Sequence, residues 1–244
     1  MKLHFPLDNP HNNLQANIAK TIKEYYPIDI KAGTDEYNNH PASKKLYDGI
    51  NDHMENYNVY IKPWQTFIKN LPRGYKSKVH NYGLPNEFSY GGKLVLERYT
   101  DDSMLRVKEL VFNVSWLGKF YTVFGVDETV IRDEGIGYGY SAVNVITVSP
   151  YREFEKGFNY LQSAIENYFE GYKFVPFLNC SFYVKEVETK YIYGFDATVY
   201  NCLFSHQLDI SYLPSIRLRG DRRYGMGESN VRVRLGPPPP NDEH

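Results

Sequence analysis

Residues 107–126, VKELVFNVSWLGKFYTVFGV, hold two apolar runs of strand length around one turn signal. In the first run Leu110, Phe112, Val114 and Trp116 alternate, which places them on one face of an extended chain. Leu117-Gly118 supplies the turn, and Lys119 to Val126 returns as the partner strand, so the stretch reads as a β-hairpin. Before it, Lys93 to Thr100 (KLVLERYT) also alternates, bounded by Gly91-Gly92 and Asp101-Asp102. After it, the glycine-rich Gly135-Ile-Gly137-Tyr-Gly139 leads into a fourth strand, Ser141 to Val148 (SAVNVITV).

Pro150 then introduces a helix at about 151–170. Phe154, Phe158, Leu161, Ile165 and Phe169 form its apolar stripe, and Arg152, Glu153, Glu155, Lys156, Gln162 and Glu166 face away. A mostly antiparallel sheet of about four to six strands with this helix laid across it buries both stripes at once.

Upstream the period is helical. Residues 13–26 place Leu14, Ile18, Ile22 and Tyr25 on one face, and Pro27 ends that helix. A second helix starts with Pro41 in its first turn and carries Leu46, Ile50, Met54 and Tyr57. A third is expected to open at Pro63, carrying Trp64, Phe67, Ile68 and Leu71 before Pro72. Downstream, Lys173 to Leu178 precedes a strand at Ser181 to Val187. Residues 196–206 fit a short helix or a strand equally well. The fold class expected is α+β: an N-terminal helical layer, then the central sheet with its long helix. Residues 1–235 read as a single domain and 236–244, GPPPPNDEH, as a proline-rich tail that no helix or sheet interior accepts.

Composition narrows the functions. The 244 residues include 23 Tyr and 14 Phe against 2 Trp, a balance suited to half-buried sheets and binding faces. A formal net charge of −1 gives no global case for nucleic acid or a membrane surface. No 18-residue apolar run and no leader-like N-terminus appear, so no membrane partner is expected and the cytoplasm is the expected compartment. Cys180 and Cys202 lack metal-ligand spacing and read as reduced, buried thiols. The sequons at Asn113 and Asn179 then carry no meaning.

The chemistry-bearing patterns are few. Gly137-Tyr-Gly139-Tyr-Ser-Ala142 matches GxGxxA, but a dinucleotide fingerprint must open a helix, and here a strand follows. Cys202 and His206 are spaced to meet on a helix face with Asp209 nearby, yet Leu203 and Phe204 give the thiol the setting of an inert core residue. No catalytic, metal or cofactor residue is assigned. The strongest charge feature lies between Ser211 and Arg234, where Arg217, Arg219, Arg222, Arg223, Arg232 and Arg234 face only Asp221 and Glu228, an excess of four positive charges. Arginine forks suit carboxylate or phosphate partners; a solvated edge strand with protective charges is the plainer reading.

Trp64-Gln-Thr-Phe67, the hairpin from Phe112 to Val126, and Tyr172-Lys-Phe-Val-Pro-Phe177 give a pattern that resembles bacterial polymorphic-toxin immunity proteins. The resemblance implies a small cytoplasmic binding protein that neutralises a cognate toxin by occlusion, without catalysis and without a cofactor. The six arginines are then the candidate contact patch for a protein partner. The alternatives are an enzyme whose site is assembled from distant residues, or a weak nucleic-acid binder acting through the same arginines.

Overall fold

The computed structural model of the chain describes residues 3–76, 78–81, 86–132, 139–190, 196–205, 217–221 and 224. It opens with five helices: Asn13–Tyr25 (α1), Asp35–Asn39 (α2), Pro41–Glu55 (α3), Tyr57–Asn70 (α4) and Arg73–Lys76 (α5). The strands Val79–Asn81 (β1), Ser89–Thr100 (β2), Met104–Ser115 (β3), Phe120–Arg132 (β4) and Gly139–Thr147 (β5) follow. A 3-10 turn at Arg152–Phe154 leads into Glu155–Tyr168 (α6), then Lys173–Phe174 (β6), Phe177–Cys180 (α7), Val199–Leu203 (α8) and Arg217–Arg219 (β7). The strands form one sheet in the order β1-β2-β3-β4-β5-β7, with β6 paired to β4. It is antiparallel except for β6 and β7, whose pairings are parallel. The α+β architecture, the helical N-terminal layer and the long helix on the sheet are therefore as the sequence led us to expect.

The hairpin β3–β4 is the sheet's centre, and its register explains why the run at 109–126 is apolar almost throughout. Leu110, Phe112, Val114, Tyr121 and Val123 face α4 and α6, packing with Trp64, Phe67, Phe158, Leu161 and Ile165. Val111, Phe124 and Val126, with Ile146 and Val148 beside them, face the other way onto Ile18, Ile22, Leu46, Ile50, Phe177 and Tyr200. Strands covered on both faces lose the alternation that a half-solvated strand keeps. Gly157 lets α6 lie close, since a Cβ there would stand 2.9 Å from a Leu110 methyl. Beyond this sandwiched half, β2, β3, β4 and β5 run on, and their outer ends are half-buried to exposed.

Several local expectations are corrected. Pro63 lies inside α4, which starts at Tyr57, immediately after the cap residue Asn56 breaks it from α3. Trp116 leaves the stripe of β3: its backbone N–H turns to the Phe88 carbonyl, and its ring packs on the α1/α3 side. Residues 181–187 form no strand; they carry isolated bridges from Tyr183 to His4 and Thr198, and Glu186 at φ +62° interrupts any extended run. Residues 199–203 are helical because Thr198 and Asn201 close a reciprocal capping box. The sheet begins earlier than Lys93, with Gly91 and Gly92 inside β2; a side chain at Gly92 would strike the Phe112 ring. Among the described residues no helix is long and apolar enough to cross a membrane.

Candidate functional site

The outer half of the sheet presents one face built from alternate residues. Leu110 points at α6, so Lys108, Arg106 and Met104 point the same way farther out. Across the register Arg106 pairs with Tyr99 of β2 and Thr129 of β4, Lys108 with Glu97 and Asp127, and Met104 with Ile131. The charges on this face are cross-linked. Arg106 grips Asp127 with two parallel bonds, Nε to Oδ1 at 3.0 Å and Nη2 to Oδ2 at 2.7 Å. Asn144 of β5 donates to both Asp127 and Thr129. Lys108 lies 2.7 Å from Glu97 and 3.3 Å from Glu153, and Arg219 lies 2.7 Å from the same Glu153 oxygen.

Burial raises the Asp127 carboxyl's proton affinity, but the Arg106 and Asn144 hydrogen bonds outweigh it and hold the carboxyl below the usual range. Glu153 behaves likewise: burial pushes it up, while Arg219, a backbone N–H and Lys108 pull it down to about 2. These carboxylates stay ionised at any ordinary pH. The face is thus rigid and charged, with Tyr99 and Ile131 as exposed apolar side chains on it.

Of the six arginines singled out in the sequence, Arg217 and Arg219 lie on β7, and Arg222, Arg223, Arg232 and Arg234 lie outside the described residues. Arg217 pairs with Val145 and Arg219 with Thr147, which puts both on the face just described. Arg219 is held there: Nε donates to Thr147 Oγ1 at 2.7 Å, and the guanidinium lies over the Phe154 ring. Arg217 is exposed. The structure therefore joins Arg217 and Arg219 to Arg106 and Lys108, which the sequence reading did not select.

Both thiols are buried in the core. Burial pushes Cys180 up to about 12, even with Thr122 Oγ1 3.6 Å away, and raises Cys202 further. Neither is a thiolate near neutrality, and His206 lies outside the described residues. Ala142 and Gly139 sit in β5, a strand, so the GxGxxA pattern opens no helix. Around Cys202 a buried polar layer joins α8 to the sheet. Tyr200 donates to Asn113 Oδ1 (3.0 Å), Asn113 to Ser89 Oγ (3.2 Å), and Ser89 to the Phe204 carbonyl (2.5 Å). Ser205 donates to Glu87 in the same layer. Among the described residues no group of three or more His, Cys, Asp or Glu is arranged to hold a metal ion.

At the opposite end of the sheet a cleft of about 100 Å³ opens between α3, α4 and the start of β2. His53 is stacked between Tyr60 and Trp116, with ring centroids at 5.1 and 5.2 Å and planes within 14°. Trp64 stacks on Tyr90 at 5.8 Å and 16°. The Tyr90 hydroxyl donates to the Tyr60 carbonyl at 2.6 Å and lies 3.3 Å from His53 Nε2. A hydroxyl has one proton, so that second contact requires the hydrogen to be on His53 Nε2. Burial first, then the neighbouring phenols, push Tyr90 up to about 12, which keeps it a donor. The sequence signal for this cluster is the spacing of His53, Tyr57, Tyr60 and Trp64 at four, three and four, hidden when the helix is started at Pro63.

No known protein family, no curated protein and no solved structure matches the chain.

Proposed function

We propose that the chain is a non-catalytic protein-binding module, an immunity protein that neutralises a cognate toxin by occlusion, with the outer face of β2, β3, β4, β5 and β7 as its contact surface. The observation that supports this reading is the pre-ordered, largely half-buried charge array Arg106–Asp127 and Lys108–Glu153–Arg219 on the outer sheet face beside the exposed Arg217. Charges already fixed by one another lose little freedom on binding, and fixed charges set register and exclude wrong partners.

Size sets a condition. Five strands at about 4.8 Å spacing and five residues at about 3.3 Å each outline roughly 400 Å², against about 800 Å² per partner in a standard complex. The partner must therefore also cover the rim, where Tyr99, Ile131 and Arg217 stand. Tyrosine and arginine are the residue types that most often anchor such contacts.

The test is capture of partners from native lysate with tagged protein, followed by assay of the captured chain's toxicity with and without this protein. One stoichiometric partner whose toxicity is abolished on binding is the expected result. A captured partner whose activity is unaffected would overturn the immunity reading.

A further inference from the structure

The aromatic cleft lies at the end of the sheet away from the charged face and owes nothing to it. Its parts leave a specific chemical deficit. The Trp64 indole N–H is committed to Asn81 Oδ1 at 3.1 Å, the Tyr90 hydroxyl to the Tyr60 carbonyl, and His53 Nε2–H to the Tyr90 oxygen. These three donors are thus spent within the protein, on a phenol oxygen, a backbone carbonyl and the Asn81 amide, while the Tyr57 hydroxyl and the Gln65 amide also line the cleft. To a ligand the rings of His53, Tyr57, Trp64 and Tyr90 present ring surface, and Asn81 Oδ1 and the phenol oxygens add lone pairs. Among the described lining residues there is no lysine or arginine. Tyr60, stacked on His53, donates its hydroxyl to the Asp52 carboxylate at 2.5 Å, which sets an acidic side chain beside the stack.

A site of π faces and acceptors is complementary to a donor-rich cation. Its shape selects among cations. The rings lie in two stacks, Tyr60–His53–Trp116 and Trp64–Tyr90, each near-parallel within itself and tilted by 45° where His53 meets Tyr90, so a flat cation can lie on one stack with its edge towards the other. The volume of about 100 Å³ is below the roughly 150 Å³ that takes a benzene ring, which suits a group of four heavy atoms and a short stem. Guanidinium is planar, weakly hydrated and stacks on aromatic faces.

We infer that this cleft is a binding site for a guanidinium group, carried by an arginine side chain of another chain or by a small free guanidino compound. The protein carries its own reporter: its 2 tryptophans, Trp64 and Trp116, both belong to the cluster. Tryptophan emission would be followed during titration with N-acetyl-arginine-N-methylamide, with methylguanidinium, and with N-acetyl-citrulline-N-methylamide, whose urea has the same shape without the charge. All concentrations stay far below those that unfold the protein. A saturable change is expected with the two guanidinium probes, and at least about tenfold weaker binding of citrulline. Tighter binding of the arginine probe than of methylguanidinium assigns the site to a chain, and the reverse order to a free compound. Replacing Tyr57→Leu, with the melting temperature checked, removes one ring face and is expected to weaken both guanidinium probes about tenfold. Equal binding of arginine and citrulline, or no saturable change with either cation, would overturn the inference; both readouts use the wild-type chain and do not depend on the variant folding.

Discussion

Replacing Glu153→Gln isolates the charge that ties the 3-10 turn before α6 to the outer sheet. Its carboxylate is shared by Arg219 and Lys108, and both Glu153 and Arg219 keep about a fifth of their side-chain area exposed (22% and 20%). Its proton affinity falls from an ordinary value of 4.5 to about 2. At about 1.36 kcal/mol per unit, that shift sets a ceiling of roughly 3.4 kcal/mol. Solvent reaches the network and screens it, so we expect about 1–2 kcal/mol in practice. The sign follows from linkage: a depressed carboxyl contributes fully above its unfolded value near 4.5 and loses that contribution as pH falls towards 2. Denaturant melts of wild type and Glu153→Gln at pH 7 should therefore differ by about 1–2 kcal/mol, a melting-temperature loss of roughly 2–8 °C in a chain of this size. Repeated at steps down to pH 3, the gap should narrow progressively, because below about 4.5 the unfolded wild type takes up a proton that the folded carboxylate still resists. A gap that is constant from pH 7 to pH 3 would mean that the side chain acts by shape rather than charge, and the charge-array argument would fail with it.

Three further outcomes test the fold. Gly125→Ala should destabilise by about 1–3 kcal/mol, because a Cβ there would stand 2.5 Å from the Phe154 ring; denaturation midpoints would show it, and an unchanged midpoint would mean that the turn leading into α6 is not pressed on β4. Asn113→Ala removes the residue between Tyr200 and Ser89 and should cost about 1–3 kcal/mol by leaving the Tyr200 hydroxyl without its acceptor, whereas a neutral effect would show that water replaces the amide. An aromatic disulfide reagent at pH 8 should leave Cys180 and Cys202 unmodified in the folded protein and modify both in denaturant, since burial holds both thiols protonated; fast labelling of the native chain would contradict their placement.

How much of this was legible in the sequence depends on range. The hairpin was readable because Leu110, Phe112 and Val114 alternate and Leu117-Gly118 turns, both local properties. The helix at Glu155–Tyr168 was readable because its stripe fits one period. Pro63 misled because proline prefers a first helical turn, whereas here it is tolerated mid-helix in α4. The apparent strand at 181–187 alternates correctly, but its pairing stops at single bridges from Tyr183 to His4 and Thr198 and Glu186 turns to φ +62°, neither of which the alternation shows. The charged outer face of the sheet is the sharpest case. Arg217 and Arg219 stood out as part of an arginine-rich segment, but Arg106 and Lys108 join them only through the register of β3 with β4 and of β5 with β7, which no single stretch encodes. The cleft had a local signature in His53, Tyr57, Tyr60 and Trp64, while Tyr90 and Trp116 reach it only through the fold.

The most direct test of the central claim is the affinity of the captured partner for wild type and for the double variant Tyr99→Ala/Arg217→Glu, measured calorimetrically at low and at raised salt. Both side chains are exposed on the outer face, so the variant should keep the wild-type melting temperature. The account expects its affinity to fall at least about tenfold, equivalent to about 1.4 kcal/mol, with the wild type also weakening as salt is raised. Undiminished affinity in a well-folded variant, insensitive to salt, would place the partner on some other surface and contradict the assignment.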